Sequence, residues 1–167
     1  MSKDKELKIL LVCTGNTCRS PMAEGLLKKM LKEIGLENVS VSSAGTAGLS
    51  GYPVTLFAVE AAKVRGVDIS GHTSRKLTKQ KLKQTDLILV MGEEHLERIK
   101  RLDKNSSKKS YLLKLFPEKE NREGDFNVRD PIGGILDDYN QSFLEIEQEI
   151  ERIIPYIKKL SAERETK

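Results

Sequence analysis

Hydrophobic positions along this chain follow two periods. Nearly unbroken apolar runs at Leu7–Val12 and Leu87–Met91 have the pattern of strands covered on both faces, as in a parallel sheet. Val39-Ser40-Val41 alternates and predicts another strand, and Tyr111–Phe116 predicts a fourth. Between them, Met22, Ala23, Leu26, Leu27, Met30, Leu31 and Ile34 recur at helical spacing. That helix starts at Ser20-Pro21, an N-cap with Pro in the first helical position, and Gly35 closes it. Pro53 opens a helix carrying Leu56, Phe57, Val59 and Ala62, closed near Gly66, and Leu96, Ile99 and Leu102 predict a short one. From near Asp137, the residues Tyr139, Phe143, Ile146, Ile150, Ile153 and Ile157 make one apolar face, with Pro155 placed to kink or end the helix. The charged stretch after Leu160 is expected to fray, leaving one domain over 1–160 and a disordered tail over 161–167. Strands alternating with helices predict a doubly wound α/β fold. It has a four-stranded parallel sheet, helices on both faces, and its site at the carboxyl ends of the strands.

Composition narrows the partners. With 167 residues, 38% apolar, the chain suits one self-supporting domain. The longest apolar runs fall far short of the roughly 20 residues of a membrane-spanning helix, so no membrane association is expected. The charged start MSKDKELK reaches a turn before any secretory hydrophobic segment forms. The net charge is only +4, acids and bases are interspersed, and 5% of residues are aromatic. A nucleic-acid surface wants a basic stripe with stacking aromatics; the nearest approach, Arg98 to Lys109, reads as a solvated helix end and loop. Two cysteines five positions apart make no disulfide framework and point to the cytoplasm. Two Cys and two His, His72 and His95, lack metal-ligand spacing, so no metal is expected.

The segment Cys13-Thr14-Gly15-Asn16-Thr17-Cys18-Arg19-Ser20 lies between a buried strand and a helix. Backbone N–H groups of a tight loop entering a helix N-terminus converge on one point, where the helix dipole adds positive potential. Gly15 leaves the ligand room and Asn16 tolerates left-handed backbone. Arg19 closes the ring with a planar fork matched to two phosphate oxygens. Cys13 opens it, and a thiol in such a field loses its proton readily and becomes a nucleophile. Ser20 is placed to donate to the sulfur. Neither GxxxxGK[ST] nor GxGxxG occurs, which excludes a Walker loop and a dinucleotide fingerprint.

This segment resembles the Cys-x5-Arg-Ser/Thr signature of the low-molecular-weight protein tyrosine phosphatases. The resemblance spans nearly the whole chain: CTGNTCRSPMAEG, SSAGT at 42–46, SGHTSRKLT at 70–78, DLILVM at 86–91 and DPIGG at 130–134. It implies that Cys13 attacks phosphorus and that Arg19, with the amides of residues Thr14 to Arg19, stabilises the equatorial oxygens. Ser20 stabilises the thiolate, and Asp130 is the acid that protonates the leaving group and then the base that activates water. Asp125 and Asp137 are weaker candidates for the acid. Asn16, Ser43 and His72 are the implied supports of the loop. The implied substrates are phosphorylated proteins, with no cofactor and an open oligomeric state. Cys18 is either a disulfide partner protecting Cys13 from oxidation or a plain buried thiol.

Two departures bear on the substrate. Tyrosine-specific members typically carry Ile where this chain has Thr17, and aromatic walls where it has Leu49 and Ile132. The chain looks like the bacterial protein arginine phosphatase branch, which shares CTGNTCRS and a DP-x-GG segment. A Thr hydroxyl at the loop rim can accept from a guanidinium, whereas Ile offers only bulk. Phosphoarginine is therefore placed ahead of phosphotyrosine, although Ile132 departs from the aromatic expected in either branch. An arsenate reductase is disfavoured because only Cys13 and Cys18 are present. A binding module without turnover is disfavoured because both Cys13 and Asp130 are kept.

Overall fold

A computed structural model describes residues 5–119 and 123–167. Four strands, β1 (Leu7–Cys13), β2 (Val39–Gly45), β3 (Leu87–Val90) and β4 (Ser110–Leu112), form one sheet in the order β2-β1-β3-β4, with every neighbouring pair parallel. From β1 the chain crosses to β2 on one side and then passes back across β1 to form β3 on the other. The carboxyl end of β1 is therefore a switch point, where open α/β sheets leave a crevice.

Alternation along β1 divides the core. Leu7, Ile9, Leu11 and Cys13 join the larger buried cluster, covered by α1 (Arg19–Glu33), α2 (Leu56–Val64) and α5 (Leu136–Glu165). Leu10 and Val12 face the other side, where Leu82 of α3 (Lys79–Lys83) and Ile99 of α4 (Glu93–Leu102) cover them. Each such side chain, fully buried, contributes roughly 1.5–3 kcal/mol, and the two-sided cover fixes the height at which β1 delivers Cys13.

Several boundaries differ from the sequence expectation, each for a local reason. The fourth strand is only Ser110–Leu112, because β3 ends at Val90, opposite Leu112. Beyond it the chain turns, with the amides of Leu115 and Phe116 donating to the Leu112 carbonyl. The helix expected from Pro53 starts at Leu56, since Pro53 bridges Thr73 and the Thr55 amide donates to the Thr17 carbonyl at 3.1 Å. The N-cap of α1 is Cys18, not Ser20, and no side chain caps it.

Pro155 does not end α5. A proline inside a helix costs ~3 kcal/mol or more; Ile153 and Ile157 on either side are completely buried and return a comparable amount. Nor do residues 161–165 form the expected disordered tail. The helix continues through Glu165, with the Ser161 hydroxyl donating to Asn38 Oδ1 at 2.6 Å and Arg164 Nη1 2.9 Å from Asp86 Oδ1. The charges of this segment decorate a helix whose inner face still has partners.

Candidate active site

The turn after β1 is organised around Asn16, which takes a φ of 55°. A left-handed non-glycine residue costs on the order of 1–2 kcal/mol, and its side chain is fixed from all sides. Asn16 Nδ2 donates to Ser20 Oγ at 2.7 Å and to Ser43 Oγ at 2.9 Å. Its Oδ1 accepts from the Arg75 amide at 2.9 Å and lies 3.1 Å from His72 Nε2. Proton directions follow from this. Ser20 Oγ already accepts from Asn16, so its own proton points at Cys13 Sγ, 2.8 Å away. Ser43 Oγ also accepts from Asn16 and donates to Glu24 Oε2 at 2.7 Å. The Asn16 amide turns its N–H onto Cys13 Sγ at 3.3 Å. An amide group passes no proton along, so this network orients dipoles toward the sulfur.

Gly45, at the end of β2, has a steric role. A Cβ there would lie 2.6 Å from the Thr14 carbonyl oxygen and 3.0 Å from the Asn16 nitrogen, so only glycine lets β2 press against the loop. A Cβ on Gly15 would meet Thr17 Oγ1 at an ordinary 3.4 Å, which places the Thr17 hydroxyl beside Gly15.

Arg19, in the first turn of α1, has its side chain almost wholly buried. Nη1 donates to the Val128 carbonyl at 3.1 Å, and Nη2 reaches Thr14 Oγ1 at 3.5 Å and Asp130 Oδ2 at 3.3 Å. Asp130 Oδ1 accepts from the Ile132 amide at 3.1 Å, and 44% of its side chain faces solvent. Among the aspartates weighed for the acid, Asp130 stands beside Arg19; Asp125 instead accepts from the Asn127 amide, and Asp137 lies in the first turn of α5. Cys18 Sγ is buried 3.4 Å from Thr55 Oγ1 and 3.7 Å from the Tyr139 hydroxyl. Cys13 and Cys18 are both free thiols. Leu49 and Ile132 are 41% and 60% exposed.

Burial pushes the Cys13 thiol above its ordinary value, while the Ser20 hydroxyl and amide, the Arg19 charge and the Asn16 amide pull it down. Burial is the larger effect. The donors expected from the loop, Ser20, Arg19 and Asn16, all pull toward the thiolate and work against the depth of the sulfur.

Two buried groups escaped the sequence reading. Glu24 has a side chain only 6% exposed. Burial opposes its ionisation, yet hydrogen bonds from His72 and Ser43 and the hydrogen bond and charge of Lys28 bring it down to about 2. Its signal was its place one turn beyond Ser20 inside an apolar run. His95 is completely buried. Its Nε2 lies 2.9 Å from Thr14 Oγ1, and among the described residues its Nδ1 has no partner. Burial lowers it to about 4, against the raising influence of Glu94. Its signal was the spacing to Ile99, which put it on the inner face of α4.

The signs follow for acid stability. Glu24, ordinarily near 4.5, stabilises the fold above that pH, and the contribution is lost as pH falls toward 2. The shift amounts to about 3 kcal/mol. His95 is kept neutral, so its loss comes earlier, as pH falls from 6.5 toward 4. Glu24→Gln should flatten the lower window and leave the upper one, measured by urea midpoints between pH 2 and 7. An unchanged lower limb would remove Glu24 from this role.

A buried thiol at the end of a parallel strand, a left-handed Asn16 that turns its amide onto the sulfur, and a buried arginine beside them make the arrangement of a cysteine-containing phosphate loop. Residues 8–166 match the family described as low molecular weight phosphotyrosine protein phosphatase, and the chain belongs to that family. It is 38% identical over 154 residues to a protein-arginine-phosphatase of Bacillus subtilis, covering 92% of this chain and 98% of the relative. It is 36% identical over 152 residues to the probable low molecular weight protein-tyrosine-phosphatase EpsP of Ralstonia solanacearum, covering 91% and 97%. It superposes with a TM-score of 0.82, at 35% identity, on a Cys→Ser mutant of the YwlE arginine phosphatase whose active-site serine is phosphorylated, covering 92% of this chain and 97% of that one. The chain is thus a cysteine-dependent phosphoprotein phosphatase. Among the described residues, no helix is long and apolar enough to cross a membrane.

Proposed function

We propose that this chain hydrolyses phosphoarginine in proteins, with Cys13 as nucleophile and Asp130 as acid and base. The Cys13 thiolate attacks phosphorus, an S–P bond forms, and the N–P bond to the guanidine breaks as Asp130 gives its proton to the leaving nitrogen. Water then attacks phosphorus, Asp130 takes the water proton, and the S–P bond breaks to return the thiolate. Arg19 and the amides of residues 14–19 hold the equatorial oxygens through both steps. Ser20 and the Asn16 amide take up the charge on sulfur. Asn16, Ser43, His72 and Glu24 hold Ser20 in the donating orientation, and His95 seats Thr14. Every group required is a side chain, a backbone amide or water. The two free thiols suit a reducing cytoplasm.

The observation that carries the choice of arginine is Thr17. Among the described residues its hydroxyl meets only Cys18 Sγ, at 3.8 Å, and no loop amide engages it. A rim hydroxyl left in that state has capacity for a guanidinium N–H, and a site that pairs polar groups discriminates strongly against substrates lacking them. Leu49 and Ile132, the positions matched to the family's aromatic walls, are exposed and aliphatic, which supports a substrate other than a phenyl ring. Phosphotyrosine is the second reading, supported by the family description and by the Ralstonia relative.

Rates on phosphoarginine and phosphotyrosine proteins, measured side by side, test the choice. Phosphoarginine should be favoured, and Thr17→Ile should move the ratio of kcat/KM toward phosphotyrosine by roughly 10-fold or more. A ratio that Thr17→Ile leaves unchanged would dismiss the role of the hydroxyl.

A further inference from the structure

The sheet carries a second concavity at its other end. A cavity of about 510 Å³ opens at the amino ends of the strands, floored by Leu7, Leu87 and Leu160. Six residue steps of β1 separate Leu7 from Cys13, about 20 Å along an extended strand, so the cavity is remote from the phosphatase loop. Its size lies within the range of small-molecule sites, roughly 300–1,000 Å³.

The wall is aromatic. Phe116 stands between Tyr111 and Tyr156, with ring centroids 5.0 Å and 5.9 Å away and both pairs edge-to-face. Phe116 is buried and 41% of Tyr156 is exposed; both tyrosines line the cavity, and the Lys119 ammonium sits 4.7 Å over the Tyr111 ring. The rim is cationic. Two of its basic groups serve the fold: Arg164 pairs with Asp86 at 2.9 Å, and Lys109 donates to the Thr85 carbonyl. Lys108, Lys159 and Lys167 also line the cavity, and no carboxylate engages them among the described residues. Asp86 is held further by the Lys8 amide at 2.8 Å; of the two side-chain carboxylates lining the cavity, Glu163 is the one with no ion pair to its carboxylate among the described residues. Three ammonium groups against one carboxylate above aromatic walls select a ligand with a flat apolar body and a negative end.

We propose that this cavity binds a small aromatic anion, independently of the catalytic loop. The probe is 1-anilinonaphthalene-8-sulfonate, titrated into the full chain and read by fluorescence. It should bind with 1:1 stoichiometry, and inorganic phosphate at matched ionic strength, which competes for the catalytic loop, should not displace it. The uncharged N-phenyl-1-naphthylamine should bind at least tenfold more weakly. Lys108→Glu with Lys159→Glu, surface changes that should leave phosphatase turnover intact, should weaken the sulfonate at least tenfold, and Tyr156→Leu should weaken both probes. The proposal is overturned by absence of 1:1 binding, by displacement with phosphate, by equal affinity for the neutral probe, or by an affinity that charge reversal leaves unchanged.

Discussion

Cys13→Ser should lower turnover by at least about 10⁴-fold, the scale seen when a nucleophile acting as one unit with its neighbours is removed. The cause is specific. Serine keeps the size and the hydrogen bond to Ser20, but an alkoxide is far harder to reach than a thiolate in a buried position, where burial already raises even the thiol. Phosphate binding should survive, because the amides of residues 14–19 and Arg19 do not depend on the sulfur. The phosphorylated serine in the mutant YwlE relative sets a further expectation: the variant should accumulate phosphoserine at position 13, because Ser holds phosphorus more firmly than Cys does. Steady-state rates, phosphate titration and intact mass check these outcomes together. Retained turnover in Cys13→Ser would end the covalent mechanism.

Asp130→Ala should cost roughly 10²–10⁴-fold on substrates with basic leaving groups and much less on aryl phosphates whose leaving groups need no proton. The geometry gives the reason. Asp130 lies 3.3 Å from Arg19 at the edge of the loop, with Pro131 restricting its backbone and the Ile132 amide holding one oxygen. The other oxygen lies beside the Arg19 guanidinium, and with 44% of the side chain open to solvent the carboxyl group remains accessible to a leaving group bound over the loop. A plot of log rate against leaving-group acidity should steepen in the variant. Equal losses across the series would take Asp130 out of the acid role and leave it as a partner of Arg19 alone.

The sequence made the sheet legible because both-sided burial leaves continuous apolar runs, and Leu7–Val12 and Leu87–Met91 carry that mark. The loop was legible because its chemistry is local: Cys13, Asn16, Arg19 and Ser20 lie within eight residues, and the structure brings all four together. Boundaries set by long-range contacts were not legible. Pairing with β3 decides where β4 stops, the Thr17 carbonyl decides where α2 starts, and contacts to Asn38 and Asp86 keep the last turns of α5 ordered. Glu24 and His95 were hidden for a related reason. Each is one polar residue on the inner face of a helix, and its partners, Ser43 and His72 for one and Thr14 for the other, lie far away along the chain. The donors around the Cys13 sulfur were visible in the sequence, and its depth beneath them was not.

Rapid acid quenching during steady hydrolysis of a phosphorylated substrate, followed by peptide mass analysis, tests the mechanism most directly. Phosphorus should be found on the peptide containing Cys13, bound to that sulfur, appearing and disappearing at rates consistent with turnover. Phosphorus found on another side chain, or none on Cys13 while phosphate is being released, would contradict it.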